Sequence, residues 1–202
     1  MFDALQEHDP EPQRKPNILG PHAVSAFCDA IGHAPDSFAV LVVAWKMGAA
    51  KMGFFTREEF VDGMVAMGFS QEGLGGLADW GAESLPAIEA QLLADPLLFE
   101  ELYMYAFAFG CEPGQKSMGK DAAALMLRVV LPQGTPHLDP FLAFLHHHST
   151  RGLTRDQWRS FLEFAHAYPN EQDLDTYDDT EAWPVLLDDY VAHHHSQSPT
   201  PP

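Results

Sequence analysis

Basic side chains are scarce in this 202-residue chain: 11 Lys and Arg stand against 29 Asp and Glu, for a formal net charge of −18. Holding nucleic-acid phosphates takes Lys and Arg, so that class of partner is excluded. An anionic membrane surface is disfavoured for the same reason. A partner with a basic patch is favoured through electrostatic steering, and solubility alone is an equal reading of the charge until the acids are placed. Cysteine is rarer still. Cys28 and Cys111 stand apart in apolar stretches, with no CxxC and no paired zinc spacing. That excludes a disulfide framework and suits a reducing compartment, cytoplasm or nucleus. No apolar run approaches membrane-spanning length. The opening "MFDALQEHDPEPQRKP" lacks a signal-peptide pattern, and Phe2 excludes a myristoylated glycine. There is no GxSxG elbow, no glycine-rich phosphate loop and no HExxH. With no nucleophile to assign, no catalytic residue and no cofactor are expected.

What is present is helical. Apolar residues make up 46% of the chain and charged residues 20%, a globular balance. Residues 1–17 are polar and proline-bearing and read as a disordered lead; 196–202 read as a disordered tail. Between them "HAVSAFCDAIG" ends at Gly32, and "DSFAVLVVAWKM" is apolar nearly all round, as a buried central helix should be. "TREEFVDGMVAMG" carries a capping box, Thr56 with Glu59, and places Phe60/Met64 and Val61/Val65 at i, i+4. The glycine-rich residues 69–82 read as irregular. "TRDQWRSFLEFAHAY" repeats the box with Thr154 and Gln157 and sets Trp158, Phe161, Leu162 and Ala165 on one stripe. A last helix begins near Trp183-Pro184, with Trp183, Leu186, Leu187, Tyr190 and Val191 inward and Asp188 and Asp189 outward. The expectation is an all-α protein of roughly nine helices with no strand pattern.

The acids concentrate near the C-terminus. Asp178, Asp179, Glu181, Asp188 and Asp189 cluster around a helix start that carries a tryptophan, and Ala182 puts a small side chain among them. Asp156, taken alone, reads as a first-turn carboxylate favoured by the helix dipole. "DLDTYDD" has acids at the first and third positions of a calcium loop, but the sixth is Asp178 rather than Gly and the twelfth is Pro184 rather than Glu, so no calcium is expected. His146 to His148 and His193 to His195 are consecutive runs. Neighbours on a helix point about 100° apart, so three in a row do not close a tetrahedral metal site.

Taken together, "VLVVAWKMGAAKMGFFTREEFVDGM", "FAFGCEPGQKSM", "TRDQWRSFLEF" and "YDDTEAWPVLLDDYV" resemble the potentiating-neddylation domain of the DCN-like (defective in cullin neddylation) proteins, in order and spacing over residues 18–192. The resemblance implies an all-helical domain over 18–195, built of two degenerate EF-hand-like halves that bind no calcium. It implies a scaffold-type co-ligase, not a side-chain catalyst. Such a protein binds the C-terminal winged-helix domain of a cullin within its RING-box complex, and the neddylation conjugating enzyme, and aims the modifier at a cullin lysine. Matched by motif, the family's Asp, Ala, Asp cullin-binding trio falls on Asp156, Ala182 and Asp188, with Asp178, Asp179 and Asp189 alongside. The pocket that takes the conjugating enzyme's acetylated N-terminal methionine falls on Val24, Val40, Val43, Ala44, Phe55 and Phe109. Those six read equally as plain hydrophobic core. The protein is expected to act as a monomer.

Two residues depart from the family pattern: Glu181 stands where Gly usually precedes "AWP", and Thr176 where Asn usually precedes "YD". The glycine-rich stretch at 69–82 is longer than usual, and neither a ubiquitin-associated domain nor a lipid signal is expected. The sequence also admits two other functions. One is an acidic all-α module for another basic protein, without neddylation activity. The other is a histidine-dependent metalloenzyme, which elemental analysis would decide.

Overall fold

The computed structural model describes residues 1–69 and 74–197. The chain divides into two units, Met1–Phe109 and Gly110–Pro202. The first carries α1 (Phe2–Gln6), β1 (Ile18–Leu19), α2 (Pro21–Ile31), α3 (Phe38–Lys46), β2 (Phe55–Thr56), α4 (Arg57–Ala66), α5 (Leu77–Glu83), α6 (Leu85–Ala94) and α7 (Pro96–Gly110), which ends at the boundary. The second carries β3 (Ser117–Gly119), α8 (Lys120–Val130), α9 (Leu138–His147), β4 (Gly152–Thr154), α10 (Arg155–Ala167), a 3-10 helix at Glu171–Thr176, and α11 (Val185–Gln197). No described helix is long and apolar enough to cross a membrane.

The all-α expectation holds, with one correction. Four short strands form two antiparallel pairs: Ile18 opposite Thr56 and Leu19 opposite Phe55, then Ser117 opposite Thr154 through Gly119 opposite Gly152. In each unit the strand pair thus joins the starts of two helices: α2 and α4 in the first, α8 and α10 in the second. Strands of two or three residues are too short to display an alternating pattern, which is why the sequence hid them. The second ladder is tight, since a Cβ on Gly152 would lie 2.2 Å from the Met118 carbonyl oxygen.

A second correction concerns residues 1–17, which are folded rather than disordered. Phe2 and Leu5 are 3% and 1% exposed. The Phe2 ring meets Phe60 edge-on at 5.9 Å, and the Arg57 guanidinium lies over it at 4.1 Å. Asp9 is also buried, because it does a specific task. Gly20 begins α2 without a capping side chain, and Asp9 supplies one: its carboxylate accepts from Gly20 N–H at 2.6 Å and Ala23 N–H at 3.1 Å. An anion on the first N–H groups of a helix is favourable in both hydrogen bonding and dipole interaction.

The remaining helix expectations mostly stand. Residues 39–44 of α3 are all buried. Both capping boxes form, at Thr56/Glu59 and Thr154/Gln157. Phe60 and Met64 face the core, but Val61 and Val65 are 41% and 67% exposed, on the solvent side of α4. Part of the stretch read as irregular is α5, whose Gly81 packs so closely that a Cβ would lie 2.1 Å from the Ile31 carbonyl oxygen. Residues 70–73 of that stretch and 198–202 of the tail lie outside the described residues; Ser196 and Gln197 belong to α11. In the second unit Phe141 stacks on Phe161 at 4.3 Å, and Tyr190 meets Phe141, Phe144 and Phe164 at 5.4–5.9 Å. Each such aromatic pair adds about 0.5–1.5 kcal/mol beyond its area burial.

Candidate functional site: an acidic surface on the second unit

Between 171 and 189 the chain carries eight acids and no Lys or Arg. Three elements hold them. The 3-10 helix is anchored by Leu174, 1% exposed, and runs into the Tyr177–Thr180 turn. The backbone then doubles back at 181–183, with Glu181 N–H donating to Asp178 O at 3.2 Å and Trp183 N–H to Glu181 O at 2.9 Å. α11 follows, fixed by the buried Leu186, Leu187, Tyr190 and Val191. Trp183 departs from its expected place in the buried stripe. It precedes the helix, is half-buried, and lies edge-on to Phe164 at 5.7 Å and near Tyr168 at 6.3 Å.

The predicted surface residues are all on this unit, and most are turned outward. Asp156, Asp178, Asp179, Ala182 and Asp189 are exposed, and Asp188 is half-buried. Asp156 sits in the first turn of α10. Asp178 Oδ1 accepts from both the N–H and the hydroxyl of Thr180, at 2.8 and 2.6 Å, and the hydroxyl bond above all holds its carboxyl below the usual range. Asp188 Oδ1 accepts from the Tyr177 hydroxyl at 2.5 Å. Burial foremost, and then the Asp188 carboxylate itself, pushes the Tyr177 hydroxyl well above its ordinary pKa, so it remains a donor. Asp189 Oδ2 lies 3.3 Å from His148 Nε2. Thr150 N–H donates to His148 Nδ1 at 3.2 Å, which leaves that ring's proton on Nε2, facing Asp189. Glu181 accepts from the Trp183 indole N–H at 3.1 Å.

Behind this surface His137 begins α9 with φ +61° and is 5% exposed. Its Nε2 is 2.6 Å from the Tyr168 carbonyl oxygen and its Nδ1 3.1 Å from the Tyr190 hydroxyl. A carbonyl only accepts, so Nε2 carries the proton and Nδ1 receives one from Tyr190. Burial lowers the His137 pKa, with the Tyr168 carbonyl opposing it. The histidine runs hold no metal cluster: among the described residues no group of three or more His, Cys, Asp or Glu is placed to hold an ion.

The six apolar residues expected to form a methionine pocket are all on the first unit. Val24, Val40, Val43, Ala44 and Phe55 are at most 8% exposed. Phe109 is half-buried and stacks on Tyr105 at 5.1 Å. Two depressions are open nearby, and none of the six lines either. One, of about 550 Å³, is walled by Leu5, His8, His22, Ser25, Ala26, Asp29, Ala30 and Leu74. The other, of about 170 Å³, is walled by Lys15, Ile18, Ala50, Lys51, Phe54, Thr56 and Glu59.

Comparison with known proteins bears on the acidic unit first. Residues 81–193 match the Cullin binding family. DCN1-like protein 2 of Dictyostelium discoideum is 42% identical over 173 residues, covering 85% of this chain and 61% of that protein. DCN1-like protein 5 of Bos taurus is 35% identical over 178 residues, covering 88% and 71%. The chain belongs to the DCN1-like, cullin-binding family. DCN1-like protein 4 of Drosophila melanogaster, 33% identical, is covered to 68% of its length. The matched family segment contains Asp156, Asp178, Asp179, Ala182, Asp188, Asp189 and Phe109, and excludes Val24, Val40, Val43, Ala44 and Phe55.

Sequence reasoning toward a DCN1-like site missed the groups that hold the acids. Tyr177 and Asp188 are eleven residues apart, and His148 and Asp189 forty-one. In each pair the two residues lie on different elements, so no periodicity within one helix marks them. The tyrosine within "TYDD" was the available signal: an aromatic hydroxyl amid carboxylates needs an acceptor when partly buried.

Proposed function

We propose that this DCN1-like chain is a scaffold-type co-ligase for cullin neddylation, working by proximity rather than by a catalytic side chain. The observation that carries the reading is the base-free acidic run 171–189, turned outward around Trp183 within the segment matching the Cullin binding family. In this reading the acids meet the basic face of a cullin's C-terminal winged-helix domain, with Asp156, Ala182 and Asp188 central. Asp178, Asp179 and Asp189 flank them, and the small Ala182 lets the partner come close. The cullin is bound within its RING-box complex, in cytoplasm and nucleus, by a monomer whose two strand-paired halves are degenerate, calcium-free EF-hand-like repeats.

The first unit takes the conjugating enzyme. An acetylated N-terminal methionine inserts among Val24, Val40, Val43, Ala44, Phe55 and Phe109. Burying one methionine side chain is worth about 1.5–3 kcal/mol, and acetylation removes an amine that is costly to bury. Because five of these six side chains are at most 8% exposed, they must part to admit it. Holding both partners on one chain turns transfer into a near-intramolecular step.

The test is reconstituted neddylation of a matched cullin, with the conjugating enzyme acetylated or free at its N-terminus. Faster cullin modification on adding this chain, and more so with the acetylated enzyme, is the expected result. Cullin binding without stimulation identifies instead an acidic binding module outside neddylation, and failure to bind cullin overturns the reading.

A further inference from the structure

We infer that Tyr177 is a positioning residue for partner binding: its hydroxyl holds the Asp188 carboxylate in one orientation, with Oδ1 engaged and Oδ2 left for a basic side chain of the cullin. This role rests on the acidic-surface reading above. Both ends of the contact are fixed independently. Tyr177 N–H donates to Leu174 O at 3.1 Å, which ties it to the buried end of the 3-10 helix. Its ring meets Phe164 edge-on at 6.0 Å and Tyr168 at 5.6 Å. Asp188 rides on α11, whose Leu187 and Tyr190 are each 1% exposed. The hydroxyl therefore approaches the carboxylate from a rigid support at 2.5 Å.

A surface aspartate free to rotate loses its torsional freedom when it pairs with a lysine or arginine. One already oriented has lost it on folding, so less is subtracted from binding. The donor is a neutral phenol, so it adds no opposing positive charge to the acidic surface. Asp178, by contrast, is held by Thr180 two residues away, in its own turn, while Asp189 has a remote support in His148.

The experiment is calorimetric binding of a cullin winged-helix domain to the wild type, Tyr177→Phe, Asp188→Ala and the double variant, with thermal melting of each. Tyr177→Phe removes one oxygen and leaves the ring packing in place. It is expected to weaken binding by about three- to tenfold. In the Asp188→Ala background the same change is expected to have no further effect, because the carboxylate it positions is gone. A merely structural role predicts the opposite, the same loss in both backgrounds, and that result overturns the inference. So does wild-type affinity in Tyr177→Phe. A wild type that binds no cullin overturns the acidic-surface reading itself, and this role with it.

Discussion

The two units open an equivalent helix in the same way and finish it differently. At α4, Thr56 accepts from Glu59 N–H at 3.2 Å and Glu59 accepts from Thr56 N–H at 2.7 Å; at α10, Thr154 and Gln157 repeat this at 3.2 and 2.9 Å. Each box follows a two- or three-residue strand, and each is followed by an arginine and then an acid: Arg57 and Glu58, Arg155 and Asp156. At α4 the chain's own first residues cover the opening. Arg57 hydrogen-bonds Asn17 at 3.0 Å, pairs with Asp3, and lies over the Phe2 ring. At α10 the same positions, Arg155 and Asp156, are exposed. The same capping motif thus serves a closed end in one unit and an open end in the other. The difference leaves the start of α10 open to solvent, on the unit that carries the proposed cullin surface.

The largest expected effect breaks that contrast if it fails. Asp188→Lys puts a cation at the centre of the acidic surface. Removing one member of a desolvated charge pair costs about 2–5 kcal/mol, so reversal should weaken winged-helix binding by about 100-fold or more. The helical circular dichroism should remain, because the side chain is only half-buried. Higher ionic strength should weaken the wild-type complex in the same direction. Normal affinity in Asp188→Lys would move the interface elsewhere.

The mirror-image variant belongs to the first unit. Phe2→Ala empties a ring site that is 3% exposed and meets Phe60. Core Phe→Ala changes cost about 3–5 kcal/mol, and denaturant unfolding should show a loss near the low end, since the site lies in a five-residue helix. Cullin affinity should be unchanged. A stability loss below about 0.5 kcal/mol would mean the arm does not close α4.

This contrast also explains what the sequence made legible. Capping boxes depend on residues three apart, so both were readable. The acids were readable because like charges in one short run stand out against any background. The arm was not: Phe2 and Leu5 are two apolar residues in a polar segment, and Phe60, which meets Phe2, and Gly20 and Ala23, which donate to Asp9, are remote in sequence. The supports of the acidic surface, Tyr177 to Asp188 and His148 to Asp189, were invisible for the same reason. The six methionine-pocket positions show a different limit. Val43 at 0% exposure and Phe55 at 4% carry a core pattern whether or not they also part for a ligand. Composition therefore cannot separate the two.

A further expectation sharpens the comparison through pH. His137, in the second unit, has its pKa lowered by burial. A histidine whose folded pKa lies below its ordinary 6.5 binds fewer protons folded than unfolded, so its stabilising contribution is present above that value and fades as pH falls through it. The thermal midpoint should therefore drop between about pH 7.5 and about pH 5.5. His137→Asn, a residue that tolerates the positive φ, should flatten that drop while lowering the midpoint at the higher pH. An unchanged slope would mean that other histidines carry the pH dependence.

The smallest effect is expected at Glu181, one of the two residues that depart from the family pattern. Its carboxylate accepts from the Trp183 indole at 3.1 Å, so the extra acid is partly committed to bracing the tryptophan rather than turned wholly outward. Glu181→Gly removes one negative charge from the surface and frees the indole N–H. An exposed charge contributes about 0.2–1 kcal/mol, so cullin affinity should fall by less than about fivefold. The emission of Trp183 should shift to longer wavelength as water replaces the carboxylate. The two readouts separate two roles. A spectral shift with unchanged affinity makes Glu181 a brace for Trp183. A fall in affinity that high salt abolishes, with no spectral shift, makes it one more charge on the docking face. The hydrogen bond favours the brace.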